Sequence, residues 1–76
     1  MSILPMLTSR QLLAILLKAG FKIIRQRGSH MWLEHPVLRR TTMVAMHTKD
    51  VSRKMLSKII KQAGLSTAEF LRLLGK

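Results

Sequence analysis

The residues with the clearest chemical potential form the pentapeptide Gln26-Arg27-Gly28-Ser29-His30. It places an imidazole directly after a Gly-Ser turn, beside a guanidinium and at the predicted start of a strand. Histidine exchanges protons near neutral pH because its unperturbed pKa is about 6.5. A proton-transfer group inside a surface that attracts phosphates is what a metal-free ribonuclease needs. An ordinary hairpin turn with a solvent-facing histidine fits the same residues, so the pattern alone leaves both interpretations open.

The charge of the chain points to a polyanionic partner. Fourteen Lys and Arg residues stand against only Glu34, Asp50 and Glu69, which gives a formal net charge of +11 over 76 residues. Self-repulsion of this size destabilises a compact fold, so a polyanion that binds the surface is the favoured explanation. Nucleic acid is the leading partner class and an acidic protein is the second. A surface that merely aids solubility is the alternative, although solubility requires a net charge of only roughly 2–8.

Length and composition predict one small domain. We expect a short lead-in over residues 1–7, where Pro5 opposes an early helix, and a single domain over residues 8–76. Cysteine is absent, which excludes disulfides, thiolate metal sites and catalysis by a thiol. No secretory signal is visible, and no stretch approaches the ~20 apolar residues of a membrane span. We therefore expect a cytoplasmic protein with no membrane partner.

The order of elements predicts an α+β fold. The three predicted helices are Ser9–Ala19, Arg53–Ala63 and a short last helix that follows Ser66. Their predicted caps are Thr8 in a capping box with Gln11, either Asp50 or Ser52, and Ser66 in a capping box with Glu69. Between the first two helices lie three predicted strands, Phe21–Gln26, His30–Glu34 and Thr41–Met46. Helices on one face of a three-stranded antiparallel sheet are the expected arrangement.

Two patterns within these elements bear on function. Period two along the second strand puts His30, Trp32 and Glu34 on one face, which leaves Trp32 partly exposed beside His30. On the second helix, Lys54, Lys58 and Lys61 form a basic stripe opposite the apolar side. The stripe either binds phosphates or simply keeps that face solvated. The three methionines Met43, Met46 and Met55 are predicted to fill the core.

Sites other than a ribonuclease centre find little support in the spacing. The three histidines and three acids offer no i, i+3 or i, i+4 pair on a helix, so we expect no metal. No glycine-rich phosphate loop or G-x-S-x-G elbow is present, and we expect no cofactor.

Metal-free RNA cleavage needs a group that removes the proton of the 2′-OH, a proton for the leaving oxygen, and a cation for the charge on phosphorus. His30 can transfer protons, and Arg25 and Arg27 can stabilise the phosphorane-like charge. His47, at the end of the third predicted strand, is a weaker candidate for a second proton-transfer group. From spacing alone, a hydrogen-bonded or merely exposed His30 stays the alternative.

Several blocks together resemble the HicA-type toxins of bacterial and archaeal toxin–antitoxin systems. The matching residues are Gly20-Phe21, Arg25-Gln26-Arg27-Gly28-Ser29-His30, His35-Pro36, Thr41-Thr42, His47, Ile60-Lys61-Gln62-Ala63-Gly64-Leu65-Ser66 and Glu69-Phe70. The similarity spans about Thr8 to Phe70. It implies a double-stranded-RNA-binding-domain-like fold and an mRNA interferase that cleaves RNA without metal through His30. It also implies a HicB-type antitoxin that binds and masks the toxin.

The leading hypothesis is therefore a toxin ribonuclease with His30 as general acid/base. Arg25, Arg27 and Ser29 are expected to support it at the RNA, and Arg53, Lys54 and Lys58 are assigned to RNA binding by their position in such a fold. A non-catalytic basic RNA-binding module is the second hypothesis. A cationic membrane-active protein is the third, and the three strands argue against it because such proteins expose an amphipathic helix without a folded core.

Overall fold

A computed structural model describes residues 6–46 and 50–75 of the chain. The elements in order are β1 (Leu7–Thr8), α1 (Ser9–Lys18), β2 (Lys22–Arg27), β3 (His30–His35), β4 (Arg40–Ala45), β5 (Asp50–Val51), α2 (Arg53–Ala63) and α3 (Thr67–Leu73). Strands β2, β3 and β4 form an antiparallel sheet in that order, and β1 pairs with β5. The predicted α+β architecture, with the arrangement of a double-stranded-RNA-binding-domain-like fold, is confirmed.

The helix ends follow the predicted capping chemistry. Thr8 accepts a hydrogen bond from the Gln11 amide while the Gln11 side chain accepts from the Thr8 amide, and Ser66 and Glu69 make the same reciprocal pair. Ser52, rather than Asp50, caps α2 through the amide of Met55. Each cap satisfies backbone donors that a helix start leaves unpaired.

The core lies between the helices and one face of the three-stranded sheet. Leu33 of β3 and Val44 of β4 point into it, and α1 and α2 both contact β4. Phe70 of α3 is fully buried, which confirms that the short last helix seals the core. The buried apolar residues are Leu7, Leu12, Ile15, Leu16, Phe21, Leu33, Val44, Val51, Leu56, Ile59, Ile60, Ala63 and Phe70.

Two of the three methionines are not core fillers. Met46 packs against the core, but Met43 is 38% exposed and Met55 is 49% exposed. Met43 alternates with the buried Val44 on β4, so it lies on the opposite face of the sheet. The prediction that Met43 and Met55 fill the core is therefore wrong.

Two side-chain contacts fix α2 against the sheet. The hydroxyl of Thr42, buried in β4, donates to Oε1 of Gln62 at 2.9 Å. At the helix end, Gly64 has φ 75°, and a Cβ there would lie 2.5 Å from Nε of Arg40. The Arg40 side chain thus lies against the carboxyl end of α2, where a cation is favoured by the helix dipole.

The small β1–β5 pair was not predicted from the sequence. Leu7 pairs with Val51 and Thr8 with Asp50, which joins the start of α1 to the start of α2. Next to it, the hydroxyl of Ser9 donates to the carbonyl of Ala45 at 3.0 Å. These contacts place the starts of both helices at the end of the sheet where β4 finishes.

Candidate active site on the open face of the sheet

The β2–β3 hairpin positions the candidate histidine. Gly28 and Ser29 form a two-residue turn, and Arg27 pairs directly with His30 across it. Gly28 has φ 59°, which suits the first central position of a II′ turn. The carbonyl of Ser29 accepts a hydrogen bond from the amide of Met46 at 2.6 Å. This bond ties the turn to the end of β4, so the start of β3 is held from both neighbouring strands.

Alternation along β3 separates the site from the core. Leu33 points into the core, so His30 and Trp32 lie on the opposite, open face. The strand register adds Arg25, opposite Trp32, and Arg27, opposite His30, to the same face. Both arginines are exposed, and His30 and Trp32 are half-buried. The prediction of a partly exposed Trp32 beside His30 is confirmed.

Three side chains form a connected row on this face. The guanidinium carbon of Arg25 lies over the indole of Trp32, 5.4 Å from the ring centroid. The imidazole of His30 meets the same indole edge-on, with 5.9 Å between centroids and 62° between ring planes. The first contact is a cation–π interaction and the second a T-shaped aromatic pair. We call Arg25, Trp32 and His30 the open-face row.

The cations of α2 belong to the other layer of the fold. Arg53, Lys54 and Lys58 are exposed on the helix, whose buried side packs on the core face of the sheet. Ala45 at the end of β4 and Ser52 at the start of α2 line the same groove, so these two ends lie near each other. Ala45 pairs with His30, so the helix start and the histidine occupy the same end of the molecule in different layers.

His35 has a structural environment that differs from that of His30. Its Nδ1 accepts hydrogen bonds from the amides of Val37 and Leu38, at 3.3 and 3.1 Å. Its ring meets Phe21 edge-on with 5.3 Å between centroids. These contacts hold the turn that leads into β4. His47, the weaker candidate for a second proton-transfer group, lies outside the described residues.

Within residues 6–46 and 50–75, no three His, Cys, Asp or Glu side chains come together in a group able to hold a metal ion. Among the helices of the same described segments, none has the length and apolar character needed to cross a membrane.

A comparison with protein families decides the relationship of the chain. The model of the HicA toxin of bacterial toxin–antitoxin systems matches residues 9–65. The chain belongs to the HicA toxin family. The matched region runs from the start of α1 past the end of α2 and contains the β2–β3 hairpin with His30. No curated protein sequence gives a significant match.

Family membership makes this HicA chain the toxin member of a toxin–antitoxin pairing. Of the residues that the sequence assigned to the site, Arg25, Arg27 and Ser29 lie with His30 on the hairpin, whereas Arg53, Lys54 and Lys58 lie in the helical layer. Sequence reasoning left the contact between Arg25 and Trp32 out of the site. The signal was present, because a two-residue turn that pairs 27 with 30 also pairs 25 with 32.

Proposed function

We propose that this HicA toxin is a metal-independent endoribonuclease that cuts mRNA, with His30 as its general acid/base. The observation that carries the proposal is the position of His30. Its imidazole lies on the open face of the sheet, in contact with Trp32, and His30 pairs with Arg27 of the neighbouring strand β2. The Nδ1 of His35 accepts two backbone hydrogen bonds in the turn before β4.

The chemistry required is an internal transfer at phosphorus. His30 takes the proton of the ribose 2′-OH as the 2′ oxygen bonds to phosphorus. The bond from phosphorus to the 5′ oxygen breaks, and the leaving oxygen takes one proton from water or from the imidazolium. The products are a 2′,3′-cyclic phosphate and a 5′-hydroxyl, so atoms and charge balance. A positioned histidine contributes roughly 10²–10⁴-fold to such a step.

The arginines beside His30 stabilise the negative charge that forms during the reaction. Arg27 is cross-strand from His30, and Arg25 is two residues further along the same face. Guanidinium groups donate paired N–H bonds to phosphate oxygens, which stabilises the charge that builds up on phosphorus. Ser29 supports the site through its backbone bond to Met46. Arg53, Lys54 and Lys58 would bind phosphates further along the RNA, near the same end of the molecule.

The partner of the pair is proposed to be a HicB-type antitoxin protein. A net charge of +11 suits an acidic surface on that partner as well as RNA. Binding over the open face would cover His30 and so silence the toxin. Because mRNA and a HicB-type antitoxin are its proposed partners, we expect the protein to act in the cytoplasm.

One assay separates the ribonuclease from a non-catalytic RNA-binding module. Purified protein is incubated with end-labelled RNA in the presence of excess chelator, and the products are resolved on a gel. The ribonuclease cuts the RNA and leaves 2′,3′-cyclic phosphate ends, and His30→Ala abolishes the cuts. An RNA-binding module retards the RNA in a salt-sensitive manner without cutting it. Intact RNA with wild-type protein would overturn the proposed activity.

A further inference from the structure

The indole of Trp32 stands on the open face of a basic protein, not in the core. Its strand neighbours Met31 and Leu33 fill the core side of β3, with Leu33 fully buried. Trp32 itself remains half-buried, between the imidazole of His30 and the guanidinium of Arg25. A large aromatic ring placed between a candidate acid/base and a cation calls for a function beyond packing.

We propose that an unpaired nucleobase of single-stranded RNA stacks on Trp32 in place of the exposed Arg25 guanidinium. The stacked base thereby places the adjoining ribose and phosphate at His30. The inference rests on the proposed RNA-directed function and adds the class of substrate and a positioning residue. Every base has a π-face, so stacking on an indole binds RNA without reading its sequence.

Charge complementarity identifies the occupant of this face. Arg25 and Arg27 lie in register with Trp32 and His30, and both are exposed. The phosphates next to a base on the indole can therefore reach these two cations, which lie on the neighbouring strand. An aromatic platform beside basic residues is the combination by which sheet surfaces bind single strands.

The same geometry argues against a duplex as the ligand of this face. In an A-form helix each base is covered by its neighbours, and its faces are out of reach of a side chain. Stacking on Trp32 requires a base that has left the helical stack. The fold resembles a duplex-binding domain, but the open-face row provides a platform for an unpaired base.

Trp32 would also contribute to cleavage indirectly, by positioning the RNA at His30. The two rings are two residues apart on one strand and in edge contact. A base fixed on the indole limits where its ribose can lie, so it brings the 2′-OH within range of the imidazole. Trp32 is a positioning residue in this scheme, and His30 performs the proton transfer.

Trp32 is the single tryptophan of the chain, so its fluorescence reports directly on stacking. The probe is a short single-stranded RNA with 2′-O-methyl riboses, which binds but cannot be cut. The comparisons are an oligomer of equal length with abasic positions and the same RNA annealed to its complement. We expect the single strand to quench the emission, and the abasic strand and the duplex to bind without comparable quenching.

Variants give the second readout, with affinity measured by anisotropy of the same labelled strand. Trp32→Ala should lose affinity by about 5- to 150-fold, while Trp32→Phe, which keeps a π-face, should stay within about 3-fold of wild type. Leu38→Ala, an exposed apolar truncation in the β3–β4 turn, is the matched control and should bind as wild type. Circular dichroism verifies that each variant is folded.

Equal quenching by the abasic strand or the duplex would overturn the inference, as would wild-type affinity in a folded Trp32→Ala. The wild-type fluorescence measurement needs no variant, so a poorly folding variant leaves the test intact. Because the probe cannot be cleaved, an absence of ribonuclease activity would refute the proposed reaction without deciding the stacking result.

Discussion

The imidazole of His30 and the indole of Trp32 meet edge to face on the open side of the sheet, 5.9 Å apart between centroids. Both rings point away from the core because Leu33, in the alternate position of β3, points into it. A single strand therefore supplies side chains both to the core and to the candidate site. Changes that shift the register of β3 would move both at once.

The two glycines around β2 should respond differently to alanine. Gly20 has φ 105°, and a Cβ there would lie 2.9 Å from Nε2 of His35, whereas Gly28 has φ 59° and open space around it. Gly28→Ala should cost about 1–2 kcal/mol of unfolding free energy, which is the penalty of a left-handed residue. Gly20→Ala should cost more unfolding free energy than Gly28→Ala, since crowding by His35 is added to an unfavourable φ.

Urea unfolding followed by circular dichroism measures the difference. Gly28→Ala serves as the control for Gly20→Ala, because it carries an unfavourable φ without a close neighbour. A Gly20→Ala protein as stable as Gly28→Ala would contradict the close approach of His35.

Removing one partner of the hydrogen bond between Thr42 and Gln62 should lower the free energy of unfolding by an amount that depends on which partner is removed. Thr42→Val removes the buried hydroxyl, and the exposed Gln62 side chain can then bind water instead. The free energy of unfolding should therefore fall by no more than about 1 kcal/mol. Gln62→Ala leaves the buried hydroxyl without its acceptor and should cost about 1–3 kcal/mol. Lys58→Ala, on the exposed side of α2, is the control for helix substitution. Equal unfolding midpoints for Gln62→Ala and wild type would contradict this account.

Salt dependence can sort the proposed RNA contacts. For a single strand, the slope of log K against log salt changes by about 0.7 for each phosphate contact removed. We expect that change for Arg25→Gln and again for Arg27→Gln. Lys54→Gln and Lys58→Gln test the proposed phosphate contacts of α2 by the same change in slope. Arg72→Gln on α3 should leave the slope unaltered, and an unaltered slope in Arg25→Gln would remove that residue from the interface.

Much of the fold was predictable because local chemistry defines it. Capping residues such as Thr8 and Ser66 bond within one helical turn, and the Gly28-Ser29 turn fixes the pairing of residues 25–27 with residues 30–32. These features depend on neighbours in sequence. The order of helices and strands then leaves few ways to cover a three-stranded sheet.

The features that sequence reasoning missed depend on residues far apart in the chain. The β1–β5 pair joins Leu7 to Val51, and the register of β2 skips Ile24 in a bulge between Ile23 and Arg25. Neither has a local signature. Met43 was misassigned because an apolar side chain on β4 fits either face until the buried face is known, and Val44 occupies that face. The roles of the site residues remain predictions that only activity and binding can test.

The rate of RNA cleavage by His30→Ala, beside His35→Asn, tests the central claim most directly. Asparagine at position 35 can still accept bonds from the amides of Val37 and Leu38, so this variant keeps the hydrogen bonds of the turn and loses only the ring contact with Phe21. With chelator present, we predict that His30→Ala loses about 10²–10⁴-fold in cleavage rate and no longer arrests growth, while His35→Asn stays within about 3-fold of wild type. A folded His30→Ala protein that cleaves RNA at the wild-type rate would contradict the assignment of His30.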